Sequence, residues 1–174
     1  MKTNEFYMKK AIRLAKKAGE NGEVPIGAVI VKDGAVISSA FNKRNAKNLA
    51  TAHAEILAIE KACKKLNDWR LDGAEMYVTL EPCPMCAGAI VNARIKKVYF
   101  GAYEKKSGAV FSNYRIPFTS GLNHFTDAEG GVLEKIRQIL LYLCFGYSLE
   151  LWIPPQGYEA GEDGREFQGG SQRK

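Results

Sequence analysis

Cysteine and histidine are scarce in this chain, with four and two among 174 residues. Four unevenly spaced cysteines do not make the disulfide framework of a small secreted domain, and they fit a reducing cytoplasm. No stretch reaches the ~18 apolar residues of a membrane-spanning helix. The most apolar segment, 136–151, is broken by Arg137, Gln138, Gly146 and Ser148. Met1-Lys2-Thr3-Asn4-Glu5 lacks the apolar run of a secretory signal. No segment recurs along the chain, which excludes solenoid and propeller arrays. There is no long basic tract either. Clusters such as Lys9-Lys10, Lys64-Lys65 and Lys105-Lys106 are only pairs. A footprint for a polyanion must therefore be assembled in three dimensions.

Present instead are the proportions of an ordinary globular domain, 46% hydrophobic and 25% charged residues. The length fits one domain with a substantial core. Lys and Arg outnumber Asp and Glu by 25 to 19, giving a net charge of +6. That sign suits RNA, although solvated lysine-rich helix faces give the same balance.

Hydrophobic spacing predicts the elements. Met8, Ala11, Ile12 and Ala15 follow helical periodicity, with Asn4 or Thr3 as cap and Gly19 and Gly22 at the end. Residues 26–31 and 36–41 read as a strand pair around the turn Lys32-Asp33-Gly34-Ala35. Residues 42–50 read as a loop. A second helix starts near Ala52, a strand covers 76–80, a helix covers 85–93 and a strand covers 97–100. Strand, helix, strand implies a parallel pair. Residues 101–122 have no regular period, 124–126 read as a short last strand, and 132–145 as a helix. The expected fold is α/β: one three-layer domain with a central mixed sheet of about five strands and helices on both faces. The expected division is a domain over 1–145 and a tail over 146–174. From Gly157 on, that tail is glycine-rich and charged and reads as flexible.

The chemistry sits in His53-Ala54-Glu55 and, thirty residues further on, Pro82-Cys83-Pro84-Met85-Cys86. One imidazole and two thiolates make three zinc ligands. Three protein ligands leave a position for water, whose pKa zinc lowers toward ~7. Glu55 is then placed to move protons without binding metal. The strand before Cys83 and the helix after it put the thiolates at a helix N-terminus, where the dipole favours negative charge. Read alone, C-x-x-C also suits a structural zinc site or a redox pair. A closed structural site needs a fourth ligand. Cys63, Cys144 and His124 form no second closely spaced pair.

The H-x-E and P-C-x-x-C pair is the known signature of zinc nucleobase deaminases. Further anchors are Gly22-Glu23-Val24-Pro25-Ile26-Gly27-Ala28, Phe41-Asn42, Trp69-Arg70-Leu71, Thr79-Leu80-Glu81, Asn123-His124 and Gly131-Val132-Leu133. With them the chain resembles bacterial tRNA-specific adenosine deaminases, within the cytidine deaminase-like superfamily, over about residues 5–133. The resemblance implies hydrolytic deamination of adenosine to inosine at the wobble position of a tRNA anticodon. It implies one zinc per subunit, held by His53, Cys83 and Cys86, with Glu55 as the proton shuttle. It also implies a cytoplasmic homodimer whose active sites are each bordered by both subunits. Asn42 corresponds to the amide that reads the flipped base, the backbone of Ala54 to a group holding its edge, and Pro25 and Ile26 to pocket wall. Arg44, Arg94, Lys105, Lys106, Asn123 and Phe145 are its candidate RNA contacts. Bland readings stand beside these: Asn42 capping its own loop, the lysines and Arg44 solvated, Phe145 in the core. The family's last helix ends in Phe with Arg or Lys, whereas here Gly146-Tyr147-Ser148-Leu149 follows Phe145.

Three functions follow for comparison. The first is tRNA editing. The second is deamination of a free base or nucleoside, such as guanine or cytosine. The third is a non-catalytic, zinc-stabilised RNA-binding module, which would have no need of Glu55.

Overall fold

The computed structural model describes residues 2–133. Helix α1 (Asn4–Glu20) begins at Thr3, whose hydroxyl accepts from Phe6 N at 3.3 Å. Its buried residues, Tyr7, Met8, Ala11, Ala15 and Ala18, recur every three or four positions and form one apolar stripe. The helix stops where Asn21 leaves it and Glu23 N donates back to Ala18 O.

Strands β1 (Gly27–Lys32) and β2 (Ala35–Phe41) form a hairpin. Asp33 and Gly34 have φ of 50° and 73°, the left-handed values of a two-residue type I′ turn. A short helix α2 (Arg44–Lys47) and helix α3 (Ala54–Leu66) follow. Strand β3 (Glu75–Leu80), helix α4 (Pro84–Asn92) and strand β4 (Lys97–Ala102) make the strand-helix-strand unit. Strand β5 (Asp127–Glu129) closes the described part of the sheet. Sheet order is β2-β1-β3-β4-β5. β1 is antiparallel to β2 and β3, while β3, β4 and β5 are mutually parallel neighbours.

Alternation along the strands builds three layers. Val29, Val31, Tyr77 and Tyr99 face α1 and pack with Tyr7, Met8 and Ala11. Their sequence neighbours Ala28, Ile30, Met76, Val78, Val98 and Phe100 pack with Leu57, Ala58 and Ala62 of α3 and Ile90 of α4. A strand buried on both faces reads as a continuous apolar run, as β1 does. Each large side chain so buried contributes about 1.5–3 kcal/mol. Ser38 Oγ donates to Ala58 O at 2.8 Å and pins β2 to α3. The expected mixed, five-stranded, three-layer α/β fold is the observed one.

Three local expectations need correction. The stretch 42–50 contains α2, because Glu23 accepts from Asn45 N and Ala46 N and so caps a helical turn from a distance. The second helix starts at Ala54, with His53 as extended cap, instead of near Ala52. The last strand lies at 127–129, not 124–126. His124 Nε2 and Thr126 Oγ1 both bond to Ile95 O through their side chains, and backbone pairing starts only at Asp127 N to Lys96 O. Most of the expected 132–145 helix, with Cys144, Phe145 and the tail, lies outside the described residues.

Candidate metal centre and active site

The site forms where two helices begin. His53 is the cap of α3 and Cys83 the cap of α4, and neither side chain is spent on a capping hydrogen bond. Pro84 at the first position of α4 has no N–H to leave unpaired and presets the helical φ. Cys86 lies one turn in and is buried. β3 delivers Cys83 three residues past its own end, and α3 packs on α4, so the two N-termini meet.

His53 Nδ1 is 3.8 Å from Cys83 Sγ and 3.6 Å from Cys86 Sγ. Zinc–sulfur bonds of ~2.3 Å and zinc–nitrogen bonds of ~2.0–2.1 Å at tetrahedral angles separate the two donors by roughly 3.6 Å. The donor atoms all lie within 4.8 Å of one another, and among the described residues this is the one His/Cys/Asp/Glu group so arranged. Donor chemistry and spacing both fit zinc.

Of the three donors, Cys83 carries the negative charge. The hydrogen bond from Cys86, then that from His53, brings the Cys83 thiol down to about 4. Cys86 is pushed up, first by its bond to that thiolate and then by burial. His53 is raised chiefly by its bond to Cys83. Burial is the main cause holding the Glu55 carboxyl above its usual range, and the neighbouring Cys83 charge adds to it.

Glu55 and Asn42 are each 3% exposed. Among the described residues, the buried side-chain polar atoms without a partner are Glu55 Oε2 and Asn42 Oδ1. Buried polar groups are almost always paired, and leaving one unpaired costs about 1–3 kcal/mol. Both residues lie on segments that reach the trio: Glu55 stands two residues from His53, and Asn42 precedes Lys43, whose N–H donates to Ala52 O at 3.0 Å. Asn42 is held by its own N–H donating to Ile26 O at 3.0 Å, which places it against Pro25 and Ile26. The reading of Asn42 as a capped loop residue therefore fails for its side-chain oxygen.

The structure brings some of the expected RNA contacts to this site and not others. Arg44 opens α2 next to Asn42, is exposed, and its charge reaches His53. Lys105 and Lys106 are exposed on a loop tied to Pro82, since Ala109 N donates to Pro82 O at 2.8 Å. Arg94 follows the far end of α4, ~14 Å along the helix axis from Cys83. There its guanidinium donates to the carbonyl of Asn123, so these two form a separate patch. A depression of about 800 Å³, lined by Tyr7, Glu75, Tyr77 and Tyr99 among others, lies at the opposite end of β3 and includes no site residue.

Sequence reasoning assigned no role to two buried carboxylates. Glu23 (1% exposed) caps α2, and Glu81 (2% exposed) binds the 104–112 loop. Each lies within two residues of a proline, in Glu23-Val24-Pro25 and Leu80-Glu81-Pro82. An unsolvated charge in such a string was the available signal.

A three-layer α/β domain with a His/Cys/Cys trio and a buried glutamate is the arrangement of the zinc-dependent deaminases. Residues 1–102 match the sequence model of the cytidine and deoxycytidylate deaminase zinc-binding region. The chain belongs to that family and, within it, to the tRNA-specific adenosine deaminases. It is 51% identical over 135 residues to the tRNA-specific adenosine deaminase of Bacillus subtilis (strain 168), covering 78% of this chain and 84% of the relative. It is also similar to a solved structure from work on A-to-I editing by tRNA:A34 deaminases at the wobble position of transfer RNA. That match has a TM-score of 0.76 and 46% identity over 78% of this chain and 99% of the other. A guanine deaminase structure from Bacillus subtilis matches less of the chain, with a TM-score of 0.57 and 47% identity over 59% of this chain and 66% of that one.

Proposed function

We infer that the chain hydrolytically deaminates adenosine to inosine at the wobble position of a tRNA anticodon. One observation carries the chemistry: among the described residues Glu55 Oε2, two residues from His53 of the His53, Cys83 and Cys86 trio, and Asn42 Oδ1 are buried without partners. The choice of tRNA over a free base rests on the relatives, which match more of the chain than the guanine deaminase does.

His53, Cys83 and Cys86 would hold one zinc per subunit. When bound, zinc supplies a water activated at neutral pH. Glu55 accepts a proton at Oε2 and delivers it to N1 of the adenine ring, so that C6 becomes open to addition of the water oxygen. It then carries a proton to the amine as the C6–N6 bond breaks, and ammonia and inosine leave. A carboxyl raised by burial is suited to this, because it must hold the proton between the two transfers. General acid–base help of this kind contributes ~10²–10⁴-fold. Asn42 orients the base through its amide, with the backbone of Ala54 at the base edge and Pro25 and Ile26 as wall. A target base must leave its stack to reach a buried site, which an anticodon loop permits at lower cost than a duplex.

Arg44, Lys105 and Lys106 serve as phosphate contacts at the cleft. A homodimer with each active site bordered by both subunits is part of this reading, as are Arg94 and Asn123 as further RNA contacts. Phe145 and the tail from residue 146 lie outside the described residues, and the domain division at 145 and the cytoplasmic location stay part of this reading. Among the described residues no helix is long and apolar enough to cross a membrane. The experiment is incubation of the zinc-loaded chain with a panel of tRNAs and with free guanine, cytosine and nucleosides, followed by nucleoside analysis. Inosine at the wobble position is the expected product. Deamination of a free base with tRNA untouched would give the function to the rival reading.

A further inference from the structure

The loop that follows β4 has no regular secondary structure from 103 to 109, yet its backbone converges on one side chain. Glu81 Oε1 accepts from the N–H groups of Val110 (3.1 Å), Phe111 (2.7 Å) and Ser112 (2.8 Å). Its Oε2 accepts from Glu104 N at 3.0 Å and from the hydroxyl of Ser112. Five donors therefore surround one buried carboxylate. The backbone on either side is fixed as well. Glu81 N donates to Ala102 O, and Pro82 O accepts from Ala109 N, each at 2.8 Å. Asn113 Nδ2 donates to the carbonyls of Lys105 and Gly108, which tightens the turn at the tip.

Successive backbone N–H groups aimed at one point form an anion nest, and its partial positive charges repel one another without an anion. Here the anion is built into the chain, two residues before the first thiolate of the metal site. Gly108 shows how closely the loop wraps it. A Cβ there would lie 2.3 Å from Glu81 Oε2 and 2.5 Å from Glu104 O. The tip of the wrapped loop carries Lys105, Lys106 and Ser107, all exposed.

We propose that Glu81 is a positioning residue for the RNA substrate: its carboxylate holds the 104–112 loop in the shape that presents Lys105 and Lys106 to phosphates beside Cys83. The proposal rests on the tRNA reading for the identity of what the lysines meet. The scaffold itself does not depend on that reading. Nothing in the chemistry at Glu55 requires Glu81, so the two carboxylates affect different kinetic parameters.

The test uses the full-length, zinc-loaded chain with Glu81→Gln, Ser112→Ala and Gly108→Ala. In Glu81→Gln, an amide oxygen can still meet Val110, Phe111 and Ser112, but its NH₂ faces Glu104 N–H, donor against donor. Ser112→Ala removes one donor and leaves the carboxylate. Gly108→Ala displaces the carboxylate by contact while leaving its chemistry intact, and serves should Glu81→Gln fold poorly. Three measurements are made: zinc content, amide hydrogen exchange across 103–113, and steady-state kinetics on a tRNA anticodon stem-loop. Expected in Glu81→Gln and Gly108→Ala are full zinc, faster exchange confined to this loop, and a KM raised roughly tenfold with kcat within about twofold. Ser112→Ala gives a smaller change in the same direction. Unchanged exchange overturns the scaffold. Faster exchange with unchanged KM overturns the positioning role, as does a fall in kcat alone. Loss of zinc would make Glu81 a support of the metal loop instead. If the wild-type chain forms no inosine in tRNA, it is the tRNA reading that fails, and the exchange result still decides whether Glu81 holds the loop.

Discussion

Replacing Glu55 with Gln should abolish turnover and raise stability at the same time. The side chain is 3% exposed, and its Oε2 has no partner among the described residues. A buried polar atom left unpaired costs about 1–3 kcal/mol, and more when charged. Burial is the first cause raising this carboxyl above 4.5. The sign then follows from proton linkage. A carboxyl whose pKa is higher folded than unfolded binds more protons in the native state. Its contribution is present below about 4.5 and is lost as pH rises through the folded value. Gln has no such loss. The stability difference between variant and wild type should therefore grow as pH rises above about 4.5. Each kcal/mol gained lifts the thermal midpoint by about 2–4 °C in a chain of this size. Turnover should fall ~10²–10⁴-fold, which is about 3–5 kcal/mol of transition-state stabilisation. Thermal melts across that pH range, zinc analysis and inosine formation from tRNA read all three. Residual activity above about a tenth of wild type would remove Glu55 from proton transfer. Loss of zinc would make it a ligand. A stability gain that shrinks with rising pH would mean the native state favours the anion, contrary to the burial seen here.

Cys83→Ala should lose zinc and activity while Cys63→Ala keeps both, measured by metal analysis of the purified chains. Gly27→Ala should cost about 1–3 kcal/mol, because a Cβ there would lie 2.2 Å from Ala11 O and 2.7 Å from Ala15 N and force α1 off the sheet. A thermal midpoint within a degree of wild type, read as about 0.3 kcal/mol or less, would contradict that packing. Binding of tRNA should weaken steeply with salt as counterions are released, and Lys106→Ala should reduce the slope of log K against log salt by ~0.7–0.9. An unchanged slope would place Lys106 in solvent.

The candidate metal trio was legible as two local groups, and the approach of His53 to Cys83 comes from the packing of α3 on α4. Cys83 and Cys86 are three apart on one helix start, and His53 stands two before Glu55, so local spacing alone limits where those atoms can go. The sheet was legible for a similar reason: apolar runs such as Ala28 to Val31 must be buried, and the Asp33-Gly34 turn fixes one pairing. What could not be read depended on partners distant in the chain. Helix α2 forms because Glu23 reaches Asn45 N and Ala46 N, and no helical period marks residues 44–47. The 104–112 loop takes its shape from Glu81, more than twenty residues earlier in sequence. The last strand was misplaced by three residues because Thr126 pairs through its hydroxyl before the backbone does. These cases share one cause. A buried carboxylate or hydroxyl can satisfy the backbone of an irregular segment in place of a regular hydrogen-bond ladder, and that substitution leaves no periodic trace. In this protein two such substitutions flank the candidate metal site, Glu23 beside Asn42 and Arg44, and Glu81 beside Cys83 and the Lys105–Lys106 tip. The donor types of the candidate metal site are thus specified by local spacing, whereas their convergence rests on the packing of α3 on α4 and the shape of the loops around them on two buried carboxylates.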